Sequence, residues 1–195
     1  MIFTRTCSDV SYAAIDFESA GAAPGETDVP VQIGIAELSP GGEISVWDSY
    51  IATDKPVRWS AARVHGITDD MLKDAPAYVM LWSDIRERLE GRVIVGHNLG
   101  TEKRFLRSFP GHGFGPWVDT LTLSRDCYPG LPDYSLQALC DALALSDDVS
   151  AIVPGRKWHD ALYDAVASAV LLRHVISALG LENEPLSALG KALGR

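Results

Sequence analysis

The sequence predicts a mixed α/β protein in which three antiparallel strands come first and parallel strands, flanked by helices, follow. Two observations carry this expectation. Within the first 51 residues, three apolar and β-branched segments are separated only by Gly/Pro-rich breaks short enough for tight connections. Beyond residue 78 the apolar residues recur at helical spacing, interrupted by a short run of the buried-strand type.

The three leading strands are Tyr12 to Phe17, Pro30 to Leu38 and Ile44 to Ile51, broken at Gly21 to Gly25 and at Ser39-Pro40-Gly41-Gly42. An amphipathic helix follows from Tyr78 to Leu89 and stops at Gly91. Val93 to Val95 is a short buried strand, and Thr101 to Phe109 has helical periodicity. Val118-Asp119-Thr120 closes another short strand, and Ser135 to Leu143 reads as a helix. Trp158 to Leu179 reads as a long helix with Leu162, Val166, Ala169, Leu172 and Ile176 at core spacing. Leu181 to Arg195 is expected to add one loosely attached helix. No repeat, low-complexity tract or linker divides the chain, so residues 1–195 are expected to form one domain, with a core of about 12–180 and a C-terminal extension of 181–195.

The 195 residues, 47% hydrophobic and 22% charged, suit a folded domain with its own core rather than a disordered chain. The first eleven residues lack the apolar stretch of a secretory signal, and no run reaches the ~18 apolar residues of a membrane span, so a soluble cytoplasmic protein without membrane contact is expected. Cys7, Cys127 and Cys140 have neither disulfide nor zinc spacing. A formal charge of -9 is unsuited to coating duplex DNA, which makes any nucleic-acid contact local.

Three segments carry chemistry. In a strand, Asp16 and Glu18 project to one side and Phe17 to the other. A solvated strand end accounts for a lone pair of this kind, but the apolar flanks Ala13-Ala14-Ile15 suit an interior strand, where two unpaired carboxylates repel unless a cation intervenes. Glu102, after His97-Asn98 and a short strand, opens a helix. Alone it reads as a helix-start acid, with Thr101 as the cap. The third segment runs from Trp158 to Ala165. There, Asp160 and Asp164 are natural neighbours at i and i+4, whereas His159 shares a face with Asp164 only if it precedes the first turn. If folding gathers these acids, their hard oxygen ligands suit a pair of divalent cations.

The ordered set Ile15-Asp16-Phe17-Glu18-Ser19, Val64-His65-Gly66-Ile67-Thr68, Gly96-His97-Asn98 with Glu102, Asp119-Thr120, and His159 with Ala161, Asp164 and Ala165 resembles the DEDDh, or DnaQ-like, exonucleases. That family includes polymerase proofreading subunits, RNase T and oligoribonuclease, and the resemblance runs from about Tyr12 to Leu172. It implies a ribonuclease H-like fold and two-metal hydrolysis at the 3′ end of single-stranded nucleic acid, using Mg²⁺ or Mn²⁺. By the same resemblance Asp16, Glu18, Glu102 and Asp164 are metal ligands and His159 is the general base. Phe17, His65, Ile67, His97 and Asn98 face substrate, and Lys103 and Arg104, with Arg107, Arg156 and Lys157, are candidates for phosphate. Glu102 stands where the family usually has Asp and Thr101 where it usually has an aromatic residue, while Ser19 replaces the usual Thr. Implied partners are nucleic-acid 3′ ends and a DNA polymerase or another replication or repair protein. Several family members pair, but no apolar stripe marks a homodimer interface here.

Two other readings compete with an active exonuclease. One is a weak or silent domain of the same fold that binds nucleic acid or a polymerase, with Glu102 marking lost geometry. The other is a phosphodiesterase for small nucleotides. Retention of Asp16, Glu18, His159 and Asp164 favours the exonuclease.

Overall fold

A computed structural model describes residues 4–194. Six strands make one sheet: β1 (Tyr12–Ser19), β2 (Pro30–Leu38), β3 (Ile44–Tyr50), β4 (Val93–Gly96), β5 (Trp117–Asp119) and β6 (Leu193–Gly194), in the order β3-β2-β1-β4-β5-β6. β1 is antiparallel to β2 and β2 to β3. β4 runs parallel to β1 and β5 parallel to β4, and β6 closes the far edge antiparallel to β5. The expected meander and parallel extension are therefore both present.

Alternation along β1 divides the core. Tyr12 and Ala14 turn toward α8 (Ala161–Ala178), packing with Ala36, Leu38, Val93, Val95 and Val118. Ala13, Ile15 and Phe17 turn the other way, onto α3 (Trp82–Leu89) and α4 (Gly100–Leu106), through Ile85, Leu89, Phe105 and Leu106. Asp16 and Glu18 continue the Tyr12-Ala14 side, so they emerge on the α8 face.

The seating of α8 depends on β2. Gly34 pairs with Asp16 across the ladder, and a Cβ built on Gly34 would stand 2.3 Å from both the Ala161 carbonyl oxygen and the Leu162 nitrogen. No real side chain tolerates that approach. Asp160 caps the helix, its Oδ1 accepting from the amides of Leu162 (3.0 Å) and Tyr163 (3.3 Å). Buried Gln32 of β2 donates to Asp160 Oδ2 (3.3 Å) and accepts from the Ala161 amide (3.1 Å). Arg156 donates to Asp160 (2.8 Å) and to Asp48 of β3 (3.1 Å). The first turn is thus pinned to two strands by groups that satisfy one another.

Local differences from expectation have local causes. β1 runs on to Ser19 because Glu18 and Ser19 still pair with Gln32 and Pro30, past a register shift. The stretch 78–81 is a 3-10 turn leading into α3. Thr120 leaves the strand and begins α5 (Thr120–Cys127), with Asp119 as its cap. Ser135 caps α6 (Leu136–Ala142). The short helices α1 (Trp59–His65), α2 (Asp69–Leu72) and α7 (Ser146–Ile152) were not expected from the sequence. The tail is not a loosely attached helix: a 3-10 segment over Leu186–Ala192 buries Leu186, Leu189 and Ala192 before β6 joins the sheet. Arg195, the last residue of that expected helix, lies outside the described residues.

Gly34→Ala is expected to destabilise the protein by about 1–3 kcal/mol, the usual range for overpacking a close contact, measured as a lower urea midpoint at unchanged m-value. An unchanged midpoint would mean that α8 withdraws from the sheet without cost.

Candidate active site

Four acidic side chains from three elements converge around Asp16 near the end of β1. Asp16 and Glu18 come from β1, Glu102 from the first turn of α4 and Asp164 from the first turn of α8. Glu102 is only 4% exposed, held inward by the same helix that buries Phe105 and Leu106. Thr101 does not cap α4, whose start at Leu99 has no side-chain cap. Ligand atoms of Glu18, His159 and Asp164 all lie within 4.8 Å of one another.

His159 reaches that cluster because it is not helical. Its φ of 64° turns the chain just before the Asp160 cap, which removes the angular offset that a regular helix would impose between His159 and Asp164. Its backbone amide also donates to the Asp164 carboxylate. The natural helical pair, Asp160 and Asp164, is instead divided between two tasks, with Asp160 spent on capping and on Gln32 and Arg156.

The electrostatics are those of a site lacking positive charge. Burial drives the Asp16 carboxyl well above its ordinary range, and repulsion from Glu102, Asp164 and Glu18 drives it further. Glu18 is pushed up to about 8, by burial first and then by Asp164, Asp160 and Glu102. Glu102 and Asp164 are each pushed up to about 7, chiefly by burial. Glu102 Oε2 and Asp164 Oδ1 are buried with no hydrogen-bond partner. Buried carboxylate oxygens left unpaired beside like charges fit hard divalent cations, which take oxygen ligands and reverse the repulsion. These residues fit such an ion.

Other expected site residues are used differently. Phe17 is 6% exposed and stacks edge-on with Tyr78 (6.0 Å) and Phe105 (5.4 Å), so its ring belongs to the core and not to a substrate surface. Ile67 is likewise buried, with Ala20, Val31 and Leu72. His65 accepts from the Ile67 amide at Nδ1 (3.0 Å) and donates from Nε2 to the Ser19 carbonyl (3.1 Å). Burial lowers its pKa, His159 nearby lowers it further, and the neutral ring thus pins the 64–68 loop to the end of β1. The solvent-facing residues of that loop are Val64, Gly66 and Thr68.

His97 braces the loop after β4. Burial lowers its pKa, Nε2 donates to the Tyr134 carbonyl (2.8 Å), and Nδ1 lies 3.0 Å from the Thr120 hydroxyl. Asn98 keeps its side chain exposed in a left-handed conformation, φ 66°, while its amide donates to Asp119 (2.9 Å). The Lys103 amine sits over the Trp117 ring at 5.0 Å and Arg104 pairs with Asp28 at 3.5 Å. Arg156 is committed to Asp48 and Asp160. Those three cations answer to protein partners. Sequence reasoning missed Gln32 and Gly34, which act on residues distant along the chain, and the capping role of Asp119, a local one that an Asp ahead of a helical segment signals.

Comparisons with known proteins agree with this geometry. Residues 13–172 match the family model described as Exonuclease (RNase T). A DNA polymerase III subunit epsilon-like protein of Rhodobacter capsulatus is 30% identical over 176 residues, which cover 87% of this chain and 24% of that protein. A PolC-type DNA polymerase III of Bacillus subtilis is 28% identical over 86% of this chain and 12% of its own length. The chain therefore spans a quarter or less of these two polymerase relatives. It spans 72% of Exodeoxyribonuclease 10 of Escherichia coli, at 29% identity over 89% of this chain. Among solved structures, Exonuclease X in complex with 5′-overhanging duplex DNA superposes with a TM-score of 0.71 at 27% identity, over 91% of this chain and 98% of that one. The nuclease domain of 3′hExo, described as a DEDDh family member bound to rAMP, shares the fold at a TM-score of 0.71 and 15% identity, over 92% of this chain and 98% of that one.

The raised carboxyl values have a definite sign in stability. Unfolded, these groups titrate near 4; folded, Glu18, Glu102 and Asp164 do so near 7 to 8. The native state therefore holds protons that the unfolded state has released, a contribution complete below about pH 4 and lost as pH rises through the folded values. In chelator, the melting temperature is expected to fall between about pH 5 and pH 8, with a shallower fall in Glu102→Gln. Added Mn²⁺ should restore most of the loss at pH 8. Thermal melts across pH check both, and a flat wild-type profile would contradict the convergence of the four acids.

Proposed function

This chain belongs to the exonuclease family and has its ribonuclease H-like fold, and on that premise we propose that it removes nucleotides from the 3′ end of single-stranded DNA or RNA. The observation that carries the proposal is the gathering of Glu18, His159 and Asp164 within 4.8 Å, beside half-buried Asp16 and buried Glu102. Two divalent cations, Mg²⁺ or Mn²⁺, would be held by Asp16, Glu18, Glu102 and Asp164. When bound, such ions neutralise charge developing on a phosphodiester and acidify water in contact with them.

The chain's own residues then have distinct tasks. An imidazole nitrogen of His159 takes the proton from the water that attacks phosphorus, a role suited to an exposed side chain on a rigid left-handed turn. The P–O3′ bond breaks, the departing 3′ oxygen acquires a proton, and a nucleoside 5′-monophosphate is released. The Asp160–Gln32–Arg156 network holds the turn that carries His159. Glu102, longer by one methylene than the family's usual Asp, keeps a carboxylate in the pocket from the first turn of α4. The relative of known structure in complex with 5′-overhanging duplex DNA makes DNA ends the first substrate to test. The polymerase relatives make a replication or repair complex the first partner to test.

With 5′-labelled DNA and RNA of one sequence, wild type should give a metal-dependent ladder shortening from the 3′ end. Asp16→Asn should abolish it. His159→Ala should lower kcat by about 10²- to 10⁴-fold while the Mn²⁺-induced rise in melting temperature persists; loss of both together would make His159 a ligand instead of a base. A wild-type protein that binds strands yet cleaves neither with either metal would favour a silent binding domain.

A further inference from the structure

We propose that the cavity between α4 and the segment 112–117, outside the carboxylate pocket, binds a nucleoside 5′-monophosphate, with Lys103, Arg107 and His112 receiving the phosphate and Phe114 the base. The inference does not rest on the exonuclease reading, because it concerns binding without metal or cleavage.

Charge is the first argument. The cavity measures about 220 Å³, and among the described residues Lys103, Arg107 and His112 line it while no Asp or Glu does. Four other cavities, of about 200 to 330 Å³, are each lined by both signs of charge. The one-sided lining stands out in a chain of formal charge -9. Lys103 and Arg107 are four residues apart, on α4 and at its end, so they are neighbours on one face, and like charges so placed repel. Neither makes an ion pair among the described residues. An anion between them relieves that repulsion.

Geometry is the second. Trp117 Nε1 donates to the Phe114 carbonyl (2.8 Å), and Gly115, at φ 136°, lets the chain press against that indole where a Cβ would stand 2.9 Å from Cδ1. The Lys103 amine lies 5.0 Å from the Trp117 ring centroid; the ring positions the amine but has no net charge to neutralise it. His112 donates from Nδ1 to the Phe109 carbonyl (2.6 Å), which leaves Nε2 for a ligand. Arg107 is exposed, and its planar guanidinium can meet two phosphate oxygens at once.

Valence and size choose the ligand. A phosphate monoester carries about -1.5 to -2 near pH 7, roughly twice the charge of each phosphodiester in a strand, and so gains more from cations that have no carboxylate to share. The cavity is also smaller than the ~300 Å³ at which pockets for drug-sized ligands begin, so it suits one nucleotide seated by its phosphate and not a length of strand. Half-buried Phe114, held against Trp82 with 5.6 Å between ring centroids, lines the same cavity and offers a restrained ring surface to a single base.

The test is titration calorimetry of the full chain in chelator with AMP, adenosine and inorganic phosphate. Wild type should bind AMP at one site, more tightly than either fragment. Arg107→Ala should weaken AMP by about ten-fold or more, as for loss of a charge-assisted bond, and Phe114→Leu should bring AMP down to the affinity of phosphate, with thermal melts checking that both variants fold. Asp16→Asn should bind AMP as wild type does. Binding unaltered in Arg107→Ala, or lost in Asp16→Asn, would overturn the site, the second by moving the nucleotide to the carboxylate pocket. Phosphate or adenosine binding as tightly as AMP would overturn the nucleotide assignment, and absence of AMP binding to wild type would overturn the proposal whole. None of these outcomes bears on strand cleavage, which the labelled-strand assay decides separately.

Discussion

The closeness of α8 to the sheet at Gly34 is the constraint on which the site depends. β1 presents Asp16 and Glu18, but Asp164 and the base arrive on the first turn of α8 and two residues ahead of it, and Glu102 on the first turn of α4. Because Gly34 pairs with Asp16, the gap that the missing side chain leaves is beside the first carboxylate. A buried polar clamp works only if every member is satisfied, and here Gln32, Asp160, Arg156 and Asp48 complete one another's bonds. The cap that begins the helix also sets where His159 turns.

Around this constraint, stability and chemistry are kept apart. The apolar layers on the two sheet faces are continuous, and α8 buries residues on nearly its whole circumference. Burial of that extent is what lets one end of the sheet carry four acids whose mutual repulsion opposes folding. Strongly shifted carboxyl groups with orphaned oxygens are the usual mark of a functional centre, and here they coincide with a left-handed histidine, another local cost that the surrounding packing sustains.

Much of this was legible beforehand, and the exceptions share a cause. The alternation that places Asp16 and Glu18 together and sends Phe17 away is a property of one strand, as are the core positions Leu162, Val166, Ala169, Leu172 and Ile176 of one helix. Substrate contacts were harder to assign. Ile67 and His97 sit in suitable motifs, yet a small core takes one and two hydrogen bonds take the other. A cation's task depends on its nearest anion, and Arg156 meets Asp48 from a strand more than a hundred residues earlier. The tail looked peripheral because nothing local reveals that Leu186 and Leu189 join the core beside α8.

By itself the sequence determined the periods, and hence the strand order along the chain, the apolar faces and the residues able to ligate or to take a proton. Those follow from rules acting over one or two turns or a few strand residues. Only the tertiary structure decided that His159 joins Asp164, that Gln32 meets the start of α8, and that Arg104 and Arg156 are met by Asp28 and Asp48. Each of those outcomes depends on which groups meet across the sheet, and burial and Coulomb interaction act through space, indifferent to separation along the chain.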